Sequence, residues 1–296
     1  SNISLLTPQA ITIDSAFNLY ISNFGSSSAP ILKITHDFTF NDIYNSLADG
    51  VSRPRQCVGY NIDKSIYVPD EHGYIPVIDS SNNTVKYAND SNPKNDLKEY
   101  RGTVAILETC PNLTVGPLIV CLARYTPNLP PPAAKPPYFL TVTKDQTNPD
   151  SAPPIVNIPT FLGDITFTEE FGGAKFDDPS DPTSKLYIPM ATFGLTAGVM
   201  EVSFTSPTVA VSKRMNILNL QLDTPSTGNP ELVALQSVAF NNDKTYMYII
   251  GGGESAQLGL VPNIKLKRVL NYRTETTMTA ETFYTFPQPT SSTGVG

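Results

Sequence analysis

Hydrophobic positions fall mostly in short runs rich in β-branched and aromatic residues, each closed by Gly, Pro, Asn or Asp, and this pattern predicts many short strands joined by turns. Ile11–Ile21 reads as one or two strands around the turn formers Asp14 and Asn18. Ser65–Val68 and Tyr74–Ile78 read as a hairpin about Asp70–Gly73, Asn82–Lys98 as a loop, and Tyr100–Leu107 and Pro117–Tyr125 as apolar core strands. Further strands are predicted at Asp164–Thr168, Lys185–Ile188, Val199–Phe204, Met215–Leu222, Gln236–Phe240, Lys244–Ile250 and Asn263–Arg273. One segment carries a helical period instead. Phe40, Ile43, Tyr44 and Leu47 stand at i, i+3, i+4 and i+7 within Asp37–Gly50, with acidic residues early and Gly50 as a stop, so a short covering helix is expected.

The strand at Asn263–Arg273 has two registers. Ile264 and Leu266 alternate with Lys265 and Lys267, and Leu270 and Tyr272 alternate with Asn271 and Arg273, while Arg268 and Val269 interrupt the pattern. One buried face, one basic wet face and a bulge at the interruption are expected. The basic face, with Lys265, Lys267, Arg268 and Arg273, either meets nucleic acid or solvates the sheet.

Composition reinforces the all-β reading. At 296 residues and 40% hydrophobic content the chain can bury a full core, and 27 prolines imply frequent strand ends, since proline lacks the backbone donor a central strand needs. The expected organisation is a single domain over 1–296, with a Pro-rich surface insertion around 127–160 that opens on the polyproline-like stretch Pro127–Pro137. A net charge of −7 weighs against general nucleic-acid binding by this part of the chain. No uninterrupted apolar run reaches membrane-spanning length, so membrane insertion is not expected. The absence of an initiator Met at Ser1 leads us to expect a leader, a processed junction or an N-terminal arm before it.

Two resemblances compete. Ala10-Ile-Thr-Ile-Asp-Ser-Ala-Phe-Asn-Leu-Tyr-Ile-Ser-Asn23 resembles the repeat unit of NHL-type β-propellers, with an echo at Tyr60–Val68, whereas Gln236–Phe240 carries no blade signature. Tyr100-Arg-Gly-Thr-Val-Ala-Ile-Leu-Glu-Thr-Cys-Pro111, and then Lys244–Gly251, Asn263–Arg273 and Phe283-Tyr-Thr-Phe286, are together similar to the shell domain of capsid proteins of nodavirus-like small RNA viruses. Asn271 departs from that family's pattern, where Glu is frequent. The capsid resemblance, taken as the main reading, implies a jelly-roll β-sandwich shell domain located in the virion and many copies in an icosahedral shell. Genomic RNA would be held chiefly by a basic N-terminal arm outside this sequence. The alternative is a secreted NHL-like β-propeller that binds a partner.

Candidate chemistry is sparse, and no catalytic role is expected. Only His36 and His72 are present, too few for a histidine metal cluster, and His72 sits among turn formers. The acidic run Asp177, Asp178 and Asp181 either donates oxygens to Ca²⁺ or is a polar loop, since no EF-hand spacing is present. Gly251–Gly253 lacks a phosphate-loop lysine and reads as a hairpin loop. Cys57, Cys110 and Cys121 form no Cys-x-x-Cys pair and leave only a Cys110–Cys121 bridge open. Asn2, Asn82, Asn89 and Asn112 head Asn-x-Ser/Thr triplets that discriminate nothing by themselves.

Overall fold

The computed structural model describes residues 8–23, 30–42, 54, 58–60, 64–68, 70, 76–83, 85–87, 98–99, 104–108, 118–125, 138–143, 155–156, 173–190, 198–206, 209–220, 234–252 and 264–287. Among the described residues there are strands and turns and no helix. The first sheet takes β1 (Pro8–Ile13), β2 (Leu19–Asn23), β3 (Ile31–Ile34) and β4 (Phe40–Asp42) in chain order. A second repeats the plan with β5 (Val58–Tyr60), β6 (Ser65–Tyr67), β7 (Pro76–Asp79) and β8 (Val85–Tyr87). The third orders β10 (Val104–Leu107), β11 (Leu118–Tyr125), β12 (Tyr138–Thr143) and β13 (Ile155–Val156), with β9 (Lys98–Glu99) also pairing β11. In the fourth, β14 (Lys175–Phe176), β15 (Lys185–Met190), β16 (Gly198–Ser206) and β17 (Val209–Arg214) follow one another. The fifth is ordered β18-β22-β21-β20-β19, from β18 (Ile217–Leu218), β19 (Ala234–Phe240), β20 (Tyr246–Gly252), β21 (Ile264–Leu270) and β22 (Met278–Thr285).

This connectivity is not that of a jelly roll. Greek-key jelly rolls pair strands distant in sequence, whereas these five sheets are chiefly meanders of sequence neighbours, with the parallel β18–β22 pair and the β9–β11 pair as departures. Over its described residues the expected helix is corrected: Phe40–Asp42 is β4, paired antiparallel to β3 through Ile34↔Phe40. The reason is local. Phe38 takes a left-handed φ of 62° in a tight turn closed by Phe38 N–H to Thr35 O at 2.8 Å and Thr35 N–H to Thr39 O at 3.0 Å, and a left-handed residue interrupts a helix. Residues 43–50 lie outside the described residues. Inside the stretch read as a Pro-rich insertion, β12 and β13 are sheet strands, with Cys121↔Leu140 and Phe139↔Val156 in register.

The chain divides into two compact units: Ser1–Asp164, Asp178–Lys185 and Ser203–Val211 in one, Ile165–Asp177, Leu186–Val202 and Ser212–Gly296 in the other. The first has a core of Tyr20, Ile31, Ile66, Val68 and Ile78. Lys33 ties its two first sheets together, donating to Ser80 O at 2.9 Å and Asn83 Oδ1 at 3.1 Å while lying over the Tyr20 ring. Burial depresses the Lys33 ammonium below its usual range against the opposing pull of Asp14 and Asp79. The second unit packs Tyr187, Val199, Leu235, Val238, Met247, Ile249, Val269, Tyr272 and Met278 into a larger core. Each such side chain contributes about 1.5–3 kcal/mol through removal from water.

A recurrent sequence spacing leads into β2, β6, β15 and β20. An Asx residue is followed six positions later by a residue flanked by apolar neighbours: Asp14 and Tyr20, Asn61 and Tyr67, Asp181 and Tyr187, Asn241 and Met247. The residue three after the Asx closes the turn back onto it, by Phe17 N–H to Asp14 O at 3.0 Å, Ser184 N–H to Asp181 O at 2.9 Å and Lys244 N–H to Asn241 O at 3.1 Å. Phe17, Lys64 and Lys244, at that third position, take φ near 60°. Tyr20, Tyr67, Tyr187 and Met247 are all buried, so the turn fixes which side chain enters the core. In the first sheet Asp14 Oδ1 accepts Ala16 N–H and Asn18 N–H and Oδ2 accepts the Tyr20 hydroxyl at 3.1 Å. Burial opposes ionisation of Asp14, but bonds from Asn18, Tyr20 and Ala16 outweigh it and hold the carboxyl below its usual range.

Candidate functional site

Alternation along the fifth sheet sorts its side chains onto two faces. Met247, Ile249, Lys267, Val269, Met278 and Ala280 are buried. The opposite face carries Tyr246, Tyr248, Leu266, Arg268 and Leu270, and register brings Tyr248 opposite Arg268 and Arg268 opposite Glu281. A register shift between Leu266 and Lys267 leaves Phe283 without a Cα partner in the β21–β22 ladder. Phe283 reaches the same face: its ring lies 5.7 Å from Tyr248, and Arg268 stacks 5.4 Å from the rings of both Phe283 and Tyr246. Arg268 Nε is also 3.0 Å from Glu281 Oε2. Phe283 remains 52% exposed, Tyr284 51% and Leu270 49%, and Tyr284 packs edge-on against Phe286 at 5.0 Å.

The four predicted basic residues are not brought to one wet face. Lys267 points into the core and donates to the Asn219 carbonyl. Arg268 lies among the rings, and Lys265 is half-buried. Arg273 turns to Asp177, its Nε 2.6 Å from Oδ2. The expected buried and wet faces are therefore exchanged at Lys267 and Leu270, because a carbonyl supplied from β18's flank satisfies the lysine inside. The register shift falls opposite Leu266 and Lys267, where β22 carries the extra residue Phe283, and not at Arg268 and Val269.

The three aspartates of the acidic run also have separate tasks. Asp177 is buried and accepts from Arg273 and from the Tyr272 hydroxyl at 3.2 Å. Asp178 Oδ1 accepts the Ser180 hydroxyl at 2.7 Å, and Asp181 Oδ1 accepts the Thr183 hydroxyl at 2.7 Å, both as turn-forming bonds. Among the described residues no group of three or more His, Cys, Asp or Glu is gathered to hold a metal ion. Beside Asp177, Tyr187 packs edge-on to Tyr272 at 5.3 Å, and its buried hydroxyl has no hydrogen-bond partner among the described residues. Burial, then the charges of Asp177 and Glu201, push the Tyr187 phenol well above its usual range; burial and Asp177 do the same to Tyr272. The hydrogen bond to Asp177 raises Arg273 further.

His36 is an exposed turn residue, and Gly251 and Gly252 close β20 against Lys265 and Ile264 rather than forming a loop. Asn82 is exposed in the turn after β7. His72, Gly253, the other three Asn-x-Ser/Thr asparagines and Cys110 lie outside the described residues, and the Cys110–Cys121 pairing left open by the sequence falls there with Cys110. The aromatic face was missed by residue-chemistry reasoning, because it is assembled by the register of β20, β21 and β22.

Comparison with protein-family models and with curated proteins returned no match. Solved structures do match. A chain of the mitotic checkpoint complex superposes with TM-score 0.53 at 8% identity, covering 97% of this chain and 86% of that one. The Dos1 propeller gives 0.51 at 9% identity, over 96% and 70%. Kuenenia stuttgartiensis hydrazine synthase gives 0.52 at 12% identity over 91% of this chain, which spans 64% of that one. At these identities the likeness concerns the fold alone, and it agrees with the sequential meanders: the chain has an all-β, propeller-like fold.

Proposed function

We propose that this chain is a propeller-type binding module without catalytic activity, which holds a partner on the aromatic face of its fifth sheet. The observation that carries the reading is the contiguous set Tyr246, Tyr248, Arg268 and Phe283, ordered by mutual stacking while Phe283 stays half exposed. Tyr, Phe and Arg are the side chains that dominate protein-interface energetics, and a stacked, pre-ordered patch loses little conformational entropy on binding. The propeller-like fold supports this over the shell reading, since the described sheets lack jelly-roll connectivity.

Light scattering with negative-stain microscopy, paired with affinity capture by the full chain, tests it. A species near the chain mass of 32.1 kDa is expected, together with a partner that is retained by the unaltered protein and lost on Tyr248→Ser/Phe283→Ser with its unfolding profile preserved. Uniform closed particles of megadalton mass, or a partner indifferent to both substitutions, would overturn the proposal.

A further inference from the structure

We infer that Asn82 is an N-glycosylation site, its amide carrying an oligosaccharide at an exposed end of the first unit. The inference is independent of the aromatic face of the fifth sheet. The acceptor triplet is Asn82-Asn83-Thr84, with a hydroxyl two residues after the amide and no Pro between them. Asn, Ser and Thr are frequent in this chain, so the triplet alone carries little weight. Weight comes from how the turn divides its work.

After β7, Asn83 N–H donates to Asp79 O at 2.8 Å, Asp79 Oδ1 accepts Ser81 N–H at 2.8 Å, and Ser80 N–H donates to Lys64 O at 2.8 Å. Lys33 then clamps Ser80 O and Asn83 Oδ1. Asp79, Ser80 and Asn83 are half-buried, whereas Ser81 and Asn82 form the exposed apex. The Asn82 amide also helps hold the Asp79 carboxylate. Glycosylation is compatible with that bond, because an Nδ2 joined to a sugar keeps one N–H to donate. In the transfer, Nδ2 attacks the anomeric carbon of a polyprenyl-pyrophosphate-linked oligosaccharide. The Nδ2–C1 bond forms, the C1–O bond breaks with its electron pair leaving on the pyrophosphate, and one amide proton is released.

The surroundings supply a second, independent observation. Lys33 is the penultimate residue of β3, so its bonds place the Asn82 turn beside the β3–β4 turn, and the Leu19↔Ile34 pairing brings the β1–β2 turn to the same end. Those two turns present Phe38, 79% exposed, and Phe17, 72% exposed, both at left-handed φ near 60°. Lys64 and Asn83 hold the corresponding left-handed positions in the second sheet, so the turn geometry does not call for phenylalanine. A glycan is bulky and solubilising, and one rooted at Asn82 shields this apolar end from water.

The full chain, secreted from cultured eukaryotic cells behind a cleavable leader, provides the test. Peptide-N-glycosidase treatment in heavy-oxygen water converts each glycosylated Asn to labelled Asp, which mass spectrometry of the peptides reads site by site. Labelling of Asn82 in most of the secreted chain is expected, and its loss in Thr84→Val, which leaves Asn82 in place. The primary readout comes from the unaltered chain, so it does not depend on a variant that folds. Thr84→Val is also expected to aggregate at several-fold lower protein concentration than the unaltered chain, a difference that Phe38→Ser removes. Unlabelled Asn82 in the secreted chain, or labelling that survives Thr84→Val, overturns the inference. Labelling without the aggregation difference keeps the site and overturns its shielding role.

Discussion

Replacing Arg273 by Ala probes an ion pair of the second unit whose two partners differ in exposure. The Asp177 side chain is 1% exposed, whereas Arg273 is 36% exposed, so water can solvate the cation but not its partner. Arg273→Ala takes the cation away from a buried carboxylate that also accepts from the Tyr272 hydroxyl at 3.2 Å. Breaking a buried pair in this way costs about 3–5 kcal/mol, and the partial exposure of Arg273 places the expected loss at the lower end, about 3 kcal/mol. Asp177→Asn leaves instead a cation that can turn to solvent and an amide oxygen that can still accept, so about 1 kcal/mol is expected. In urea unfolding followed by near-ultraviolet circular dichroism, a slope near 3 kcal/mol/M turns these into midpoint shifts of roughly 1 M and 0.3 M. Equal losses for the two variants, or a loss below about 1 kcal/mol for Arg273→Ala, would refute the claim that burial of the carboxylate governs the pair.

Three further outcomes are expected. Tyr187→Phe removes an unpaired buried hydroxyl and raises stability by about 1 kcal/mol, while Tyr20→Phe, at the equivalent position of the first sheet, breaks the bond to Asp14 and lowers it by about 1 kcal/mol; a loss in both would show that the Tyr187 hydroxyl is bonded in solution. Burial, then nearby carboxylates, raise the phenols of Tyr20, Tyr187 and Tyr272, so their contribution is fully present below the unfolded value near pH 10 and is lost as pH rises beyond it; Tyr272→Phe should flatten the alkaline slope of a stability–pH curve. The depressed Asp14 carboxyl contributes stability that is present above about pH 4 and lost as pH falls through its folded value, so Asp14→Asn should be less acid-dependent than the unaltered chain, and an unchanged acid limb would count against the turn network.

Strands were legible where local pattern and tertiary demand agreed. Val104–Leu107 and Leu118–Ala123 are apolar runs that form strands as expected, here paired with each other, and Asp14 to Asn18 turns where its residues say it should. Elsewhere a local signal lost to a competing one. The helical period from Phe40 onward begins directly after a left-handed Phe38, and β12 hides between proline-rich flanks that suggest an excursion. Lys267 reads as a wet lysine because its satisfying carbonyl, Asn219, lies 48 residues away and leaves no mark near it in the chain. The repeat is legible only in its first two instances, within Ala10–Asn23 and Tyr60–Val68, since just two positions six apart recur and the residues between them vary. The aromatic patch depends on register across three strands, which alternation within one strand cannot reveal.

Meanders of sequence neighbours also bear on how the chain acquires its structure. The first sheet is complete between Pro8 and Asp42, so its ladders close loops of a few residues and carry a small entropic cost. Such a sheet can form as soon as its own segment has been synthesised, before later strands exist to compete for its edges. The Asx turns then act as register locks during assembly. A single inserted residue between Asp14 and Tyr20 would exchange the two faces of β2 and send Tyr20 to solvent, whereas a longer insertion between one sheet and the next would leave every ladder as it stands.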